Sequence, residues 1–151
     1  MSARRALAGI CRCVAAVAAV ACSATALARD WPQEVTAEEG TIVVYQPQPE
    51  SLDGNVLKGR AAMSLEMKDR DEPIFGAFWF EAKIDTDKDN GAAFLRDVRV
   101  TNVRWPESSD AQEQRFTTIV EAAIPQTGFE ISMERLSASL ETARVQRESL
   151  A

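Results

Sequence analysis

Hydrophobic and polar residues alternate in five segments of the chain, and this is the pattern of β-strands that bury one face. The alternation is clearest in Val56–Met67 and in residues 74–84. The other predicted strands cover residues 41–46, Ala92–Arg104 and residues 115–124. The side chains predicted to point inward are Leu57, Ala61, Met63, Leu65 and Met67 in the first segment, Ile74, Phe78, Phe80, Ala82 and Ile84 in the second, and Phe116, Val120 and Ile124 in the last. Because short polar segments link the strands, we expect an antiparallel meander.

Two of these links are long. Residues 47–55 (PQPESLDGN) are rich in turn-forming residues, and residues 107–114 (ESSDAQEQ) are polar throughout. We predict a turn for the first segment and a flexible connection for the second.

The hydrophobic period changes at the end of the chain. Met133, Leu136, Leu140 and Ala143 recur at helical spacing, and charged residues fill the other faces. Ser132 stands where an N-cap belongs. The sequence therefore predicts an α+β, mainly β fold, in which about five antiparallel strands carry one C-terminal amphipathic helix packed on the sheet.

The sequence IDTDKDNG resembles a calcium-binding loop, because Asp85, Asp87 and Asp89 take its first, third and fifth positions. The glycine needed at the sixth position comes one place late, as Gly91, and Arg96 stands where calcium needs a bidentate glutamate. The flanking segments are predicted strands rather than helices. We therefore expect a hairpin turn with Gly91 at positive φ, and no metal site.

The first 28 residues have the three parts of a secretory signal peptide. Three arginines are followed by a run of small apolar residues and by the A-x-A site Ala26-Leu27-Ala28. The apolar run is shorter than the roughly 20 residues of a membrane-spanning helix. We expect cleavage before Arg29, a periplasmic or secreted location, and one domain at residues 29–151 without a transmembrane span. A lipoprotein anchored at Cys22 is the alternative, because residues 19–22 resemble a weak lipobox.

Charge and composition exclude several functions. Three of the 17 basic residues and none of the 23 acidic ones precede Arg29, so residues 29–151 carry 14 basic and 23 acidic side chains and a formal net charge of −9. The negative electrostatic potential of this domain repels a phosphate backbone, so we expect no nucleic-acid partner.

The chain has no histidine, and its three cysteines all lie in the leader. Serine and cysteine triads and the usual metal sites are therefore excluded. Carboxylate pairs for glycoside hydrolysis are numerous, and none stands out. We expect neither a catalytic site nor a cofactor.

Aromatic residues remain as candidates for binding. Tyr45, Trp79 and Trp105 are of the types whose ring faces stack on sugars. Trp79 shares a strand face with charged neighbours, as a sugar platform on a sheet would. The alternative places Trp79 in the core beneath the C-terminal helix, and we favour it because residues 74–84 are apolar on both faces. Trp105 and Trp31 each precede a proline, which indicates anchors at a strand edge or terminus.

Several stretches resemble a family of exported bacterial proteins, mostly hypothetical, that is sometimes labelled carbohydrate-binding family V/XII. These stretches are Trp31-Pro32, GTIVVYQPQPESLDGNVLKGRAA at residues 40–62, FGAFWF at residues 75–80, Arg104-Trp105-Pro106 and ISMERLSASL at residues 131–140. The longer members continue into further modules, so the resemblance is to their N-terminal module. It implies a non-catalytic envelope module that binds a polysaccharide or an envelope protein. The alternative is a structural or assembly module of a larger envelope protein, without a small-molecule ligand.

Overall fold

The computed structural model describes residues 31–151, so the predicted signal peptide and the lipidation alternative at Cys22 lie outside the described residues. The elements are β1 (Gln33–Thr36), β2 (Gly40–Val44), β3 (Gln48–Asp53), β4 (Val56–Met67), β5 (Ile74–Asp87), β6 (Ala92–Arg104), α1 (Asp110–Ala123), a 3₁₀ turn (Ile124–Gln126), β7 (Phe129–Ser132) and α2 (Met133–Leu150). The predicted α+β, mainly β class with a C-terminal helix is confirmed. Within this range, no helix has the length and hydropathy needed to cross a membrane.

The seven strands form one antiparallel sheet in the order β1-β2-β4-β5-β6-β7, with β3 paired to β4. β2 pairs with Met63–Met67 and β3 pairs with residues 56–60, on the edge of β4 opposite β5. β2 and β3 therefore act as one long strand with a bend between them. The amide of Tyr45 continues the ladder through the bend by donating to the carbonyl oxygen of Ala62 at 3.0 Å.

The sheet curls until its two end strands meet. The side chain of Gln33 on β1 donates from Nε2 to the carbonyl oxygen of Glu130 on β7 at 3.1 Å. Beside this bond, the rings of Trp31 and Phe129 stack with centroids 5.8 Å apart. The core fills the inside of the curl and contains the inward residues that the alternation predicts for β4 and β5.

The segment predicted as a fifth strand, residues 115–124, is helical, and that prediction is wrong. α1 begins within the segment expected to be flexible: Ser109 is its N-cap, and a reciprocal capping box joins Ser109 to Gln112. The inward residues Phe116, Val120 and Ile124 are four positions apart, a spacing that fits one helix face as well as alternate positions of a strand.

The predicted turn at residues 47–55 is also wrong for most of its length. Residues 48–53 form β3, and only the segment around Gly54, at φ +61°, turns the chain. β3 pairs with β4 alone and shifts register between Pro49 and Ser51. An edge strand with a bulge tolerates proline, because the missing amide donor is not needed there.

The predicted C-terminal helix is confirmed as α2. Ser132 is its N-cap and accepts a hydrogen bond from the amide of Arg135 at 3.2 Å. Leu136 is buried, and Met133 and Leu140 pack partly against the core. The contacts of α2 are mainly with β3 and β7. α2 therefore does not pack on the outer face of β5, where we expected it.

Candidate ligand-binding groove

Tyr45 and Trp79 line one open groove of about 580 Å³ on the outer face of the sheet. Tyr45 is 39% exposed and Trp79 is half-buried. The lining residues are Trp31, Pro32, Tyr45, Gln46, Gln48, Arg60, Ala61, Ala62, Ala77 and Trp79. The groove combines aromatic, amide and guanidinium groups, and this composition suits a ligand with both apolar and polar surfaces.

The strand register explains the shape of the groove. Ala62 lies opposite Ala77, and Arg60 lies opposite Trp79 on the neighbouring strand. Tyr45 is bonded to the backbone of Ala62 from the other side. Side chains that are directly opposite each other, or diagonal on one sheet face, are within about 5–8 Å. The two alanines therefore form a low floor between taller aromatic side chains.

The bend between β2 and β3 opens one side of the groove. Val44 pairs with Met63 and Gln48 pairs with Arg60, so three residues of one strand oppose two of the other. This extra residue is a β-bulge, which bends its strand and redirects the local side chains. Gln46 lies in the bulge, and its Oε1 accepts a hydrogen bond from Nη1 of Arg135 on α2 at 2.6 Å.

Arg60 supplies the cation of the groove. Its Nε donates to Oε1 of Gln48 at 3.2 Å, and the side chain is 53% exposed. Glu50 approaches the same Nε at 3.6 Å, beyond hydrogen-bonding distance. In residues 31–151, neither terminal nitrogen of Arg60 has a hydrogen-bond partner. The flat end of the guanidinium is therefore available to a ligand.

Our expectation that Trp79 lies in the core is wrong. The alternation along β5 is as predicted, but Trp79 is outside the core cluster, on the face that α2 does not cover. Phe75 on the same face is 58% exposed. The outer face of β5 therefore carries Trp79 in the groove and Phe75 exposed outside it, without α2 packed on them.

Trp105 does not belong to this site. It is 1% exposed and packs edge-on against Phe116 of α1, with ring centroids 5.4 Å apart. Its Nε1 donates to Oγ1 of Thr117 at 3.2 Å. The structure brings two of the three predicted binding residues together and places the third in the core, as an anchor at the end of β6.

Sequence analysis missed Arg60 and Trp31 as groove residues. Arg60 stands among alternating charged residues of β4, where nothing distinguishes it from Lys58 until the register is known. Trp31 could be expected only as a terminal anchor. Its ring both stacks on Phe129 and forms one end of the groove.

Beyond Trp79, the same face carries a row of paired charges. Glu81 lies between Lys58 and Arg99, each on a neighbouring strand. The hydrogen bond from Arg99 and the contact with Lys58 lower the pKa of Glu81. Because Glu81 is paired with both cations, we interpret these residues as a polar surface beside the groove rather than as a reactive site.

The aspartate-rich segment is a hairpin turn, as predicted. The carboxylate of Asp87 accepts hydrogen bonds from the amides of Asp89 and Asn90 and, at 2.7 Å, from the Asn90 side chain. These bonds, that of the Asn90 side chain foremost, lower the pKa of Asp87. Gly91 has φ +63°, and Arg96 donates to Asp85 at 2.8 Å. Within the described chain, no three candidate ligands are grouped to hold a metal ion.

Comparison of the chain with known protein families, with curated proteins and with solved structures finds no match. The case for a function therefore depends on the groove and on the sequence patterns described above.

Proposed function

We propose that the protein is a non-catalytic, exported cell-envelope module that binds a glycan in the groove between Tyr45 and Trp79. The observation that carries the proposal is the pair of aromatic rings beside a floor of two alanines, on a sheet face that α2 leaves open at β5. The signal-peptide pattern and the resemblance to a carbohydrate-binding family support the same function.

The groove suits a sugar chain for a physical reason. A pyranose presents C–H groups on its faces and hydroxyl groups around its rim, so it needs an apolar platform with polar groups beside it. Trp79 supplies a platform, because the face of an indole ring is a large, rigid apolar surface. Gln48 and Arg60 stand at the polar end. The volume of about 580 Å³ lies within the range of roughly 300–1,000 Å³ that is usual for ligand sites.

The composition of the groove favours binding without catalysis. Among the lining residues, Tyr45 and Arg60 are the ionisable ones, and no carboxylate is present to act as a general acid or nucleophile. We therefore assign the groove to recognition alone.

The test is binding of the exported protein to an array of plant, fungal and bacterial oligosaccharides, followed by titration calorimetry. Trp79→Ala should weaken binding about tenfold or more, which corresponds to about 1.4 kcal/mol. Phe75→Ala is the matched control, because Phe75 is an exposed aromatic on the same face of β5 but outside the groove. If Phe75→Ala and Trp79→Ala weaken binding equally, the groove is not the site.

The alternative is a structural or assembly module. Exposed apolar side chains outside the groove favour it, namely Phe75 and the α2 residues Val145 and Leu150. Such a module would bind no oligosaccharide, and its association with envelope protein would be weakened by Phe75→Ala or Val145→Ala but not by Trp79→Ala.

A further inference from the structure

The charge of the groove differs from that of the domain around it. Residues 29–151 carry 23 acidic against 14 basic side chains, yet the described residues that line the groove include one arginine and no aspartate or glutamate. A surface patch in so acidic a domain would ordinarily include carboxylates. Glu50 lies 3.6 Å from Nε of the cation but does not line the groove, so the lining itself favours a ligand group of negative charge.

The geometry of Arg60 suits a planar anion such as a carboxylate. Nε is fixed by Gln48 at 3.2 Å, which holds the guanidinium plane while both terminal nitrogens stay unpaired within the described chain. This end of an arginine forms two parallel hydrogen bonds with a planar carboxylate. An arginine already held by a neighbour loses less conformational freedom on binding than a mobile one does.

Arg60 also stands beside the aromatic platform. It lies directly opposite Trp79 on the next strand, with side chains on the same face. When a pyranose stacks on an indole, an equatorial carboxylate on its C5 extends sideways, close to the ring plane. Such a carboxylate can reach a guanidinium group that stands beside the indole, as Arg60 does.

We infer that the groove recognises an acidic sugar, a uronic acid residue, whose ring stacks on Trp79 and whose carboxylate is bound by Arg60. This inference rests on the proposed function, since it names the class of glycan that the groove takes. The carboxylate of Glu50, 3.6 Å from Nε, opposes the anion and limits the affinity. Removing that charge should therefore strengthen binding to the acidic sugar.

The experiment compares oligogalacturonate with its methyl ester, which has the same sugar ring without the charge. Calorimetry is performed on the full exported protein with EDTA present, so that calcium cannot bridge the anions. We expect about tenfold tighter binding of the acid, a difference that decreases as salt is added. Arg60→Gln should abolish this preference and keep the weaker affinity for the ester. Glu50→Gln should raise affinity for the acid alone.

Arg96→Gln is the control, because Arg96 is an exposed arginine paired with Asp85, outside the groove. It should leave the preference unchanged. Circular dichroism melts establish that each variant is folded. Equal affinity for acid and ester, with both lost in Trp79→Ala, would overturn the acidic-sugar inference while the glycan-binding function stands. Binding of neutral oligosaccharides only would also overturn the acidic-sugar inference and leave the glycan-binding function in place. Failure to bind any oligosaccharide on the array would overturn both.

Discussion

Gly76 on β5 lies directly against the ring of Trp105. A Cβ atom at Gly76 would come within 2.5 Å of Cε3 of that ring and within 2.7 Å of the carbonyl oxygen of Arg104. Both distances are shorter than real Cβ contacts, and neither neighbour can move freely: one is backbone and the other a core indole hydrogen-bonded to α1. The absence of a side chain at position 76 therefore allows β5, the end of β6 and α1 to pack together.

We predict that Gly76→Ala destabilises the protein by about 1–3 kcal/mol, as overpacking a core does. Chemical denaturation followed by tryptophan fluorescence measures the change. Gly128→Ala is the control, because the nearest atom to a Cβ there is 3.8 Å away. Similar stabilities for the two variants would show that the Trp105 contact does not constrain β5.

The two tryptophans at positions 79 and 105 should differ in what they contribute. Trp105→Ala removes a fully buried ring and should reduce the free energy of unfolding by about 3–5 kcal/mol. Trp79→Ala changes a half-buried ring on an open face and should reduce it by about 1 kcal/mol or less. Urea unfolding of both variants checks the difference. If Trp79→Ala reduces the free energy of unfolding as much as Trp105→Ala does, Trp79 is a core residue.

The hairpin loop should contribute to stability in a pH-dependent way. The pKa of Asp87 is lowered by its hydrogen bonds from Asn90 and Asp89. A folded-state pKa below the unfolded value means that the contribution is present above the unfolded pKa and is lost as the pH falls through the folded pKa. NMR titration of Asp87 should give a midpoint below that of a free aspartate, and Asn90→Ala should raise it. An unchanged midpoint in Asn90→Ala would contradict the assigned cause.

The same loop should respond weakly to calcium. Its Asp87 carboxylate is used within the turn, and Asp85 is paired with Arg96. Millimolar calcium should therefore leave the Tm nearly unchanged in a thermal melt recorded with and without EDTA. A Kd below about 10⁻⁴ M would establish a calcium site instead.

Processing offers a further test. The A-x-A site predicts a mature N-terminus at Arg29. Mass spectrometry of the exported protein measures this directly. A lipid-modified N-terminal Cys22 would support the lipoprotein alternative.

The long strands could be predicted from their length and their apolar residues at strand spacing, and α2 from a narrow apolar stripe preceded by a capping serine. β4 and β6 have the predicted bounds, and Ser132 caps α2 as expected. α1 could not be distinguished from a strand in this way, because apolar residues four positions apart fit both the helix period of about 3.6 and the strand period of 2. The capping pair Ser109 and Gln112 was the signal that could have decided it.

The groove was harder to predict because it depends on register. Tyr45 and Trp79 are 34 positions apart, and the bulge at Gln46 that places one near the other is not marked by any sequence period. The face of Trp79 was predictable from alternation. Whether a layer would cover that face was not, because this depends on α2 packing against β3 and β7 instead of β5.

The hydrogen bond by which Gln33 closes the sheet affects the stability of the groove at the end next to β1. In the described chain, β1 shares a backbone ladder with β2 only and is joined to β7 by one side-chain hydrogen bond. A strand with one backbone neighbour opens at a lower free-energy cost than a strand paired on both edges, so β1 should open more easily than β4 or β5. Trp31 and Pro32, which form one end of the groove, precede this strand immediately. A ligand that contacts them would therefore slow amide hydrogen exchange in β1. A substitution that loosens β1 would weaken binding only as far as it populates the opened form, because that fraction lowers the apparent affinity.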